Sequence, residues 1–425
     1  MFGKSKFWKL ALIPMLLAIA VAGAQAQDTT LTFISWQVDE PGVGDWWRTA
    51  IDEFEGANEG VAIEFTKVAR PEYADTFLTL FAGGTPPDIV HLAAFEFQQF
   101  ADAGWLEDLA PWVENSELSL DGWAGQVKCQ WEGETACIML LYFGFVMVVN
   151  DAILDSIGMD APTNWDEMIE VLRAATQDTD GDGIVDQWGI CHHTNEGSQY
   201  ASQLLSYVVG SGAYWTSAEG EVTIDTPEMT EGFTRWKTIF DEGLSPLDLS
   251  SGDCHQLMME GKLATRMEGS WVYNFVRRAE PEVQQHLRIV PVPFAVPVGG
   301  GSNVIAMASE ISDDRKALVW DFIEIITSQE WQEQFGVYVG NPAPRPGTLT
   351  DAIYEAVPHV DILVASQTTA SENGIDRSPT GLQIVYNEFA KLVRDEAQRM
   401  IADDVDPAAV VANLHNLAVE LQQDL

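Results

Sequence analysis

Positive charge is what this sequence has least of. Its 22 lysine and arginine residues stand against 65 aspartate and glutamate residues, a formal net charge of −43. So acidic a surface repels phosphate backbones and anionic lipid headgroups, which argues against nucleic-acid or membrane-surface binding. Long apolar runs are equally scarce: past residue 26, no stretch reaches the roughly 18 apolar residues that a membrane helix needs. Catalytic signatures are missing too, with no G-x-S-x-G elbow, no H-E-x-x-H and no G-x-x-x-x-G-K-[ST].

What is present points to a folded, exported chain. High charge can mean disorder, but 46% hydrophobic residues and 15 tryptophans supply a core. The acidity fits a protein of a salty medium, a halophilic pattern in which screening shortens the reach of self-repulsion. A length of 425 residues exceeds one compact core and suits two domains. Lys4, Lys6 and Lys9, the apolar run 10–23 and Ala24-Gln25-Ala26 form a basic, apolar and small-residue series. That series reads as a signal peptide over residues 1–26. With no cysteine near the cleavage pattern, a lipid anchor is not expected. The mature protein is expected in the periplasm, without membrane insertion and as a monomer.

Cysteine is rare as well, and in an exported chain four cysteines suggest disulfides. Cys129 and Cys137 flank Gln130-Trp131-Glu132-Gly133-Glu134, a sequence able to turn back on itself. Pairing them leaves Cys191 with Cys254, although four cysteines allow three pairings. The short loop would contribute about 2–3 kcal/mol. A zinc site from Cys191-His192-His193 and Cys254-His255 is the alternative.

The first hundred residues past the leader alternate between strand and helix. Residues 31–36 form an apolar strand, 45–54 carry helical spacing at Trp46, Trp47, Ala50, Ile51 and Phe54, and 61–68 alternate like a second strand. A helix over 73–81 and a strand over 88–92 follow, so βαβ units and a mainly parallel sheet are predicted. Later segments are more helical, notably 165–175, 229–242, 315–327 and 383–401.

Several motifs occur in one order: the FISW strand, GTPPDIV, VVN before a helix, MMEGKLATRMEGSW, a VPVPF-to-GGG segment and NPAPRP. The series resembles the solute-binding proteins of ABC importers, in the carbohydrate-binding group that includes maltose-binding protein. The resemblance spans almost the whole mature chain. It implies an α/β, two-lobed periplasmic-binding-protein fold with a ligand cleft between the lobes. It further implies a sugar-like ligand, a transmembrane permease as partner and no cofactor for function. Crossings are expected near 135, 296 and 335, giving 27–135 and 297–335 as one lobe and 136–296 and 336–425 as the other.

Sugars offer apolar C–H faces and many hydroxyls, so aromatic platforms beside carboxylates and amides are the residues to seek. In open α/β sheets ligands sit beyond the carboxyl ends of strands. That rule selects Trp36 with Gln37, Asp39 and Glu40 after the first strand, and Phe95 and Glu96 after the third. A core aromatic and a solvated acidic loop are the plainer alternatives. The family resemblance adds Tyr142, Phe143, Trp271, Gly300, Ser302, Asn303, Tyr338 and Arg345. For Tyr142 and Phe143 the alternative is a buried strand, because the apolar run is unbroken over 138–149. A second class, an exported carbohydrate hydrolase or lyase, would need two carboxylates flanking the scissile bond, and no pair is marked out.

One acidic loop has metal-ligand spacing. Asp178, Asp180, Asp182 and Asp186 occupy relative positions 1, 3, 5 and 9, with Gly183 at position 6 and the Ile184 carbonyl at position 7. The spacing predicts a structural calcium ion, although Gly189 replaces the Glu of a full EF-hand at position 12. A calcium-dependent adhesion module would rest on this loop alone.

Overall fold

The computed structural model describes residues 29–195 and 197–425; the expected signal peptide, residues 1–26, lies outside them. Strands β1 (Thr29–Ser35), β2 (Val61–Lys67) and β3 (Ile89–Ala93) run parallel with β1 in the middle, in the register Phe33↔Phe65 and Phe33↔Ile89. Parallel neighbours need a crossover, and helix Val43–Ala57 supplies the first. It buries Trp46, Trp47, Ala50, Ile51 and Phe54, the stripe predicted from the sequence. β1 stops one residue short of the predicted end. Ser35 Oγ accepts the Gln37 N–H at 3.0 Å and opens a 3₁₀ turn, Trp36–Asp39, which frees Trp36 from the ladder.

Next come β4 (Gln130–Trp131) and β5 (Glu134–Thr135), an antiparallel hairpin closed by the Cys129–Cys137 disulfide. Strand β6 (Ile138–Asn150) is buried along all 13 residues. β7 (Trp188–Ile190), β8 (Leu263–Gly269), β9 (Leu287–Pro291) and β10 (Gly299–Met307) complete the order β2-β1-β3-β10-β6-β8-β7, with β9 also on β6. β6 serves both halves. Up to Gly144 it pairs with β10, and from Phe145 onward with β8 and β9. The apolar run 138–149 is therefore a shared strand, buried because it is covered on both faces.

Each half has its own apolar clusters. Phe33, Trp46, Trp47 and Phe322 gather on one side of the first half, and Tyr73, Phe77 and Phe100 on the other. Trp331, Phe335, Val339 and Ala343 belong to the first of these, so the late chain stays with the first half past residue 335. Met147, Leu172, Trp236 and Phe389 mark the core of the second half. Helices Trp165–Ala175, Pro227–Asp241, Asp313–Thr327 and Tyr386–Ala402 form where apolar spacing predicts them. No helix among the described residues is long and apolar enough to cross a membrane.

Where the halves meet, helix Val360–Glu372 lies against β6. Ser366 Oγ donates to the Phe145 carbonyl at 2.6 Å. A Cβ on Gly144 would collide with Ser366, and one on Gly299 with Ala370, so glycine is what lets helix and strand approach this closely.

The second disulfide joins Cys191 and Cys254, with Cα atoms 5.6 Å apart. It removes the thiolates that the zinc alternative required. Buried His192 is engaged instead by Gln203 Oε1 at 2.6 Å and the Tyr207 hydroxyl at 2.7 Å.

Candidate functional site

A cavity of about 300 Å³ opens between the halves, beyond the carboxyl ends of the parallel strands. β1 delivers Trp36 and Glu40 to it, β2 delivers Arg70, and β3 delivers Phe95. Trp36 stacks on His91 with ring centroids 4.2 Å apart and meets Tyr73 edge-on at 4.7 Å. Burial, helped by Arg70, holds His91 near a pKa of about 3, so a neutral ring supports the tryptophan. Arg70 is fixed by Glu96, 2.6 Å away, and lies 5.1 Å from the Trp36 ring. Burial pushes the Glu40 carboxyl up to about 7 against the pull of Gln37 and Arg70. At neutral pH that group stands ready both to donate and to accept.

The opposite wall is built after β8. Buried Glu268 accepts from His255 Nε2 at 2.7 Å and from Arg266 at 3.0 and 3.2 Å through one oxygen. Its other oxygen accepts from Trp271 Nε1 at 3.1 Å and Ser251 Oγ at 3.4 Å. Burial would raise this carboxyl, but Arg266 and His255 hold it far below the carboxylate range. Trp271 meets Phe143 edge-on at 4.9 Å, over a glycine whose Cβ would strike the indole, Gly269. His255 in turn lies flat on Phe275, 3.6 Å away.

Of the sequence-predicted residues, Trp36, Glu40, Phe95, Trp271, Ser302 and Asn303 line this cavity. Others do not. Asp39 points to solvent and pairs with Lys67 at 2.9 Å. Glu96 and Phe143 are buried behind the wall, one holding Arg70 and the other under Trp271. Tyr142 turns into the cluster of Tyr73 and Phe100 and packs on Gly125. Gly300, with φ of 119°, faces Asp376. Tyr338 packs on the first-half core, and its carbonyl accepts from Arg277. Arg345 sits in a separate surface groove, where it donates to the Thr327 carbonyl at 2.6 Å. The C-terminal carbonyls of helix Asp313–Thr327 are the partner that claims this cation.

Gln37, which follows the first strand with Trp36, lines the cavity as well, and Arg70, His255, Glu268, Asn274 and Arg377 line it without having been predicted as ligand contacts. Arg70 was within reach of the strand-end rule, since it follows β2 as Trp36 follows β1. Glu268 lies three residues before Trp271 in MEGSW. Nothing local to Arg377 places it here.

Far from the cleft, Asp178, Asp180 and Asp186 bring carboxylate oxygens within 4.8 Å of one another. Asp182 turns away from that group, since its Oδ1 accepts the Ile184 N–H at 2.8 Å. Asp178 is held by the N–H groups of Gly181 and Gly183 at 2.6 and 2.7 Å. Three hard oxygen donors suit calcium, though they supply fewer protein ligands than the sequence spacing promised.

The chain is similar to several known proteins. It is 23% identical to a probable sugar-binding periplasmic protein of Brucella melitensis, over 64% of each chain. It is also 23% identical to the putative ABC transporter periplasmic-binding protein YcjN of Escherichia coli, over 44% of each. These matches thus span about half to two-thirds of those relatives. An ABC transporter solute-binding protein of Thermotoga lettingae bound with α-D-tagatose shares the fold, with a TM-score of 0.81 at 17% identity. It covers 93% of this chain and 100% of its own. Maltose-bound MalE3 of T. maritima gives a TM-score of 0.80 at 18% identity, with the same coverage. The two-lobed α/β architecture expected from the sequence is therefore the observed one. The profile of the bacterial extracellular solute-binding proteins matches residues 38–333, well over half of the chain, and the chain belongs to that family.

Proposed function

We propose that this chain is the receptor subunit of an ABC importer, which captures a sugar, short oligosaccharide or polyol glycoside and delivers it to the membrane permease. One observation carries the reading. Two tryptophans from opposite walls, Trp36 and Trp271, enter a cavity whose remaining lining mixes carboxylates, amides and guanidinium groups. Apolar rings beside in-plane donors and acceptors are what a sugar's C–H faces and hydroxyls require. Family membership and sugar-bound neighbours of the same fold support it. Residues 1–26 are read as a signal peptide and the mature chain as a periplasmic monomer. The change of neighbours along β6 and the packing of Trp331 to Ala343 on the first half support crossings within β6, ahead of β10 and beyond Ala343.

Glu40 and Glu268 raise the enzyme alternative, since their environments push two cleft carboxyls in opposite directions. Glu268 is a poor nucleophile, however, because both of its oxygens are already engaged by four side chains. A melting panel with sugars and polyols tests the receptor reading: a ligand at 100 times its Kd adds about 2.7 kcal/mol. No shift with any of them would sink it. Recovery of shortened or unsaturated sugar after long incubation would favour the enzyme.

A structural calcium ion held by Asp178, Asp180 and Asp186 belongs to the same reading. The support is the convergence of three carboxylates, which without a cation repel each other.

A further inference from the structure

Arg377 differs from the other guanidinium groups beside the cleft. Arg70 is paired with Glu96 at 2.6 Å and Arg266 with Glu268 at 3.0 Å. Arg377 is 2% exposed, and among the described residues it makes no ion pair. Its Nη2 donates to the Gly301 carbonyl at 3.1 Å, while its Nε is buried without an acceptor. The acid next to it in sequence, Asp376, serves the other side of the segment. That carboxylate lies 3.8 Å from Lys128 Nζ and lines a second recess, which also contains Gly301 and Trp131.

Three rings surround the Arg377 guanidinium: Phe95 at 4.3 Å, Phe143 at 4.8 Å and Trp271 at 5.9 Å. Cation–π attraction acts through the ring faces and leaves N–H donors in the guanidinium plane to be satisfied. Burial without a counter-ion lowers the Arg377 pKa to about 10, still well above neutrality. The cleft wall thus holds a desolvated, permanent cation whose donor fork is only partly satisfied. A neutral sugar has hydroxyls for Glu268 and for the unpartnered Asn274 Oδ1. It has no anion for Arg377, whereas a planar carboxylate meets such a fork with two parallel hydrogen bonds.

We propose that the cleft takes a sugar acid, a uronate or a short oligosaccharide carrying one, with its carboxylate seated on Arg377 between Phe95 and Trp271. The assignment rests on the sugar-receptor reading and narrows it. The chain's net charge opposes an anionic ligand at long range, but that field is screened beyond about 10 Å at 0.1 M salt. Inside the cleft the local cation decides.

Calorimetry on the chain without residues 1–26, using matched pairs, tests this. Glucuronate is compared with glucose, galacturonate with galactose, and digalacturonate with α-1,4-galactobiose. An acid should bind at least tenfold more tightly than its neutral partner. Arg377→Gln should reduce that acid-over-neutral preference to within twofold, the ratio of the two affinities being the quantity read. Arg377→Lys keeps the charge but loses the planar fork, and should lower the acid-over-neutral preference at least threefold. That variant also serves as the test if Arg377→Gln does not fold, as judged by its melting curve. Neutral sugars binding as tightly as acids, or an acid preference that survives Arg377→Gln, would overturn the proposal and leave the receptor reading standing. No binding by any saccharide in either set would bring down both.

Discussion

Trp271 and Glu40 lend themselves to separate measurements. Trp271 contributes a large half-buried ring to the cleft and also donates to Glu268, so it joins the two kinds of contact a sugar needs. Trp271→Ala should weaken binding by about 2 kcal/mol, roughly thirtyfold in Kd. Normal binding with a much lower melting temperature would make Trp271 a core residue. Glu40 is read through pH. Its carboxyl moves from an ordinary 4.5 up to about 7, so between those values the folded chain keeps a proton that the unfolded chain releases. The stability from this group is complete below pH 4.5 and is lost as pH rises through about 7. Glu40→Gln removes the titration, so its melting temperature relative to the parent should climb across that window and then level off. A difference independent of pH would mean that Glu40 titrates normally. Trp36, Glu40 and Phe95 were legible because they follow parallel strands, a position set locally, whereas Trp271, Ser302 and Asn303 were reached through the family resemblance. Arg377 was not legible because it and its neighbours Phe95 and Trp271 come together from three separate segments.

Among the elements, the loop 178–186 is the one whose behaviour should depend on an ion. Its glycines at 181 and 183 adopt φ of 81° and 91°, which lets the backbone curl around Asp178. Chelation should lower the melting temperature, added calcium should restore it, and Asp180→Ala should abolish the difference. A curve indifferent to both chelator and calcium would remove the ion from the account. Strands and helices were largely readable, since period-2 and period-3.6 patterns report burial directly. The double duty of β6 was not. Thirteen buried residues look alike in sequence whether they pair with one set of neighbours or exchange one set for another halfway along.

For the molecule as a whole, a ligand touching both walls favours whichever arrangement brings them together. Small-angle scattering should therefore give a smaller radius of gyration at saturation than without ligand; an unchanged radius would sink the closure model but not the binding. The two-lobed architecture was legible through the order of motifs, while Trp331, Phe335 and Val339 prolong an apolar pattern without marking which core they enter. The glycine seat at Gly144 and Gly299 has a mechanical consequence. Helix Val360–Glu372 is riveted to the shared strand by Ser366 at the point where that strand changes neighbours. Were the lobes to rotate, the rivet would serve as a fulcrum, a rod pressed onto bare backbone, and a single methyl at either glycine would lift the rod and change the lever's resting angle.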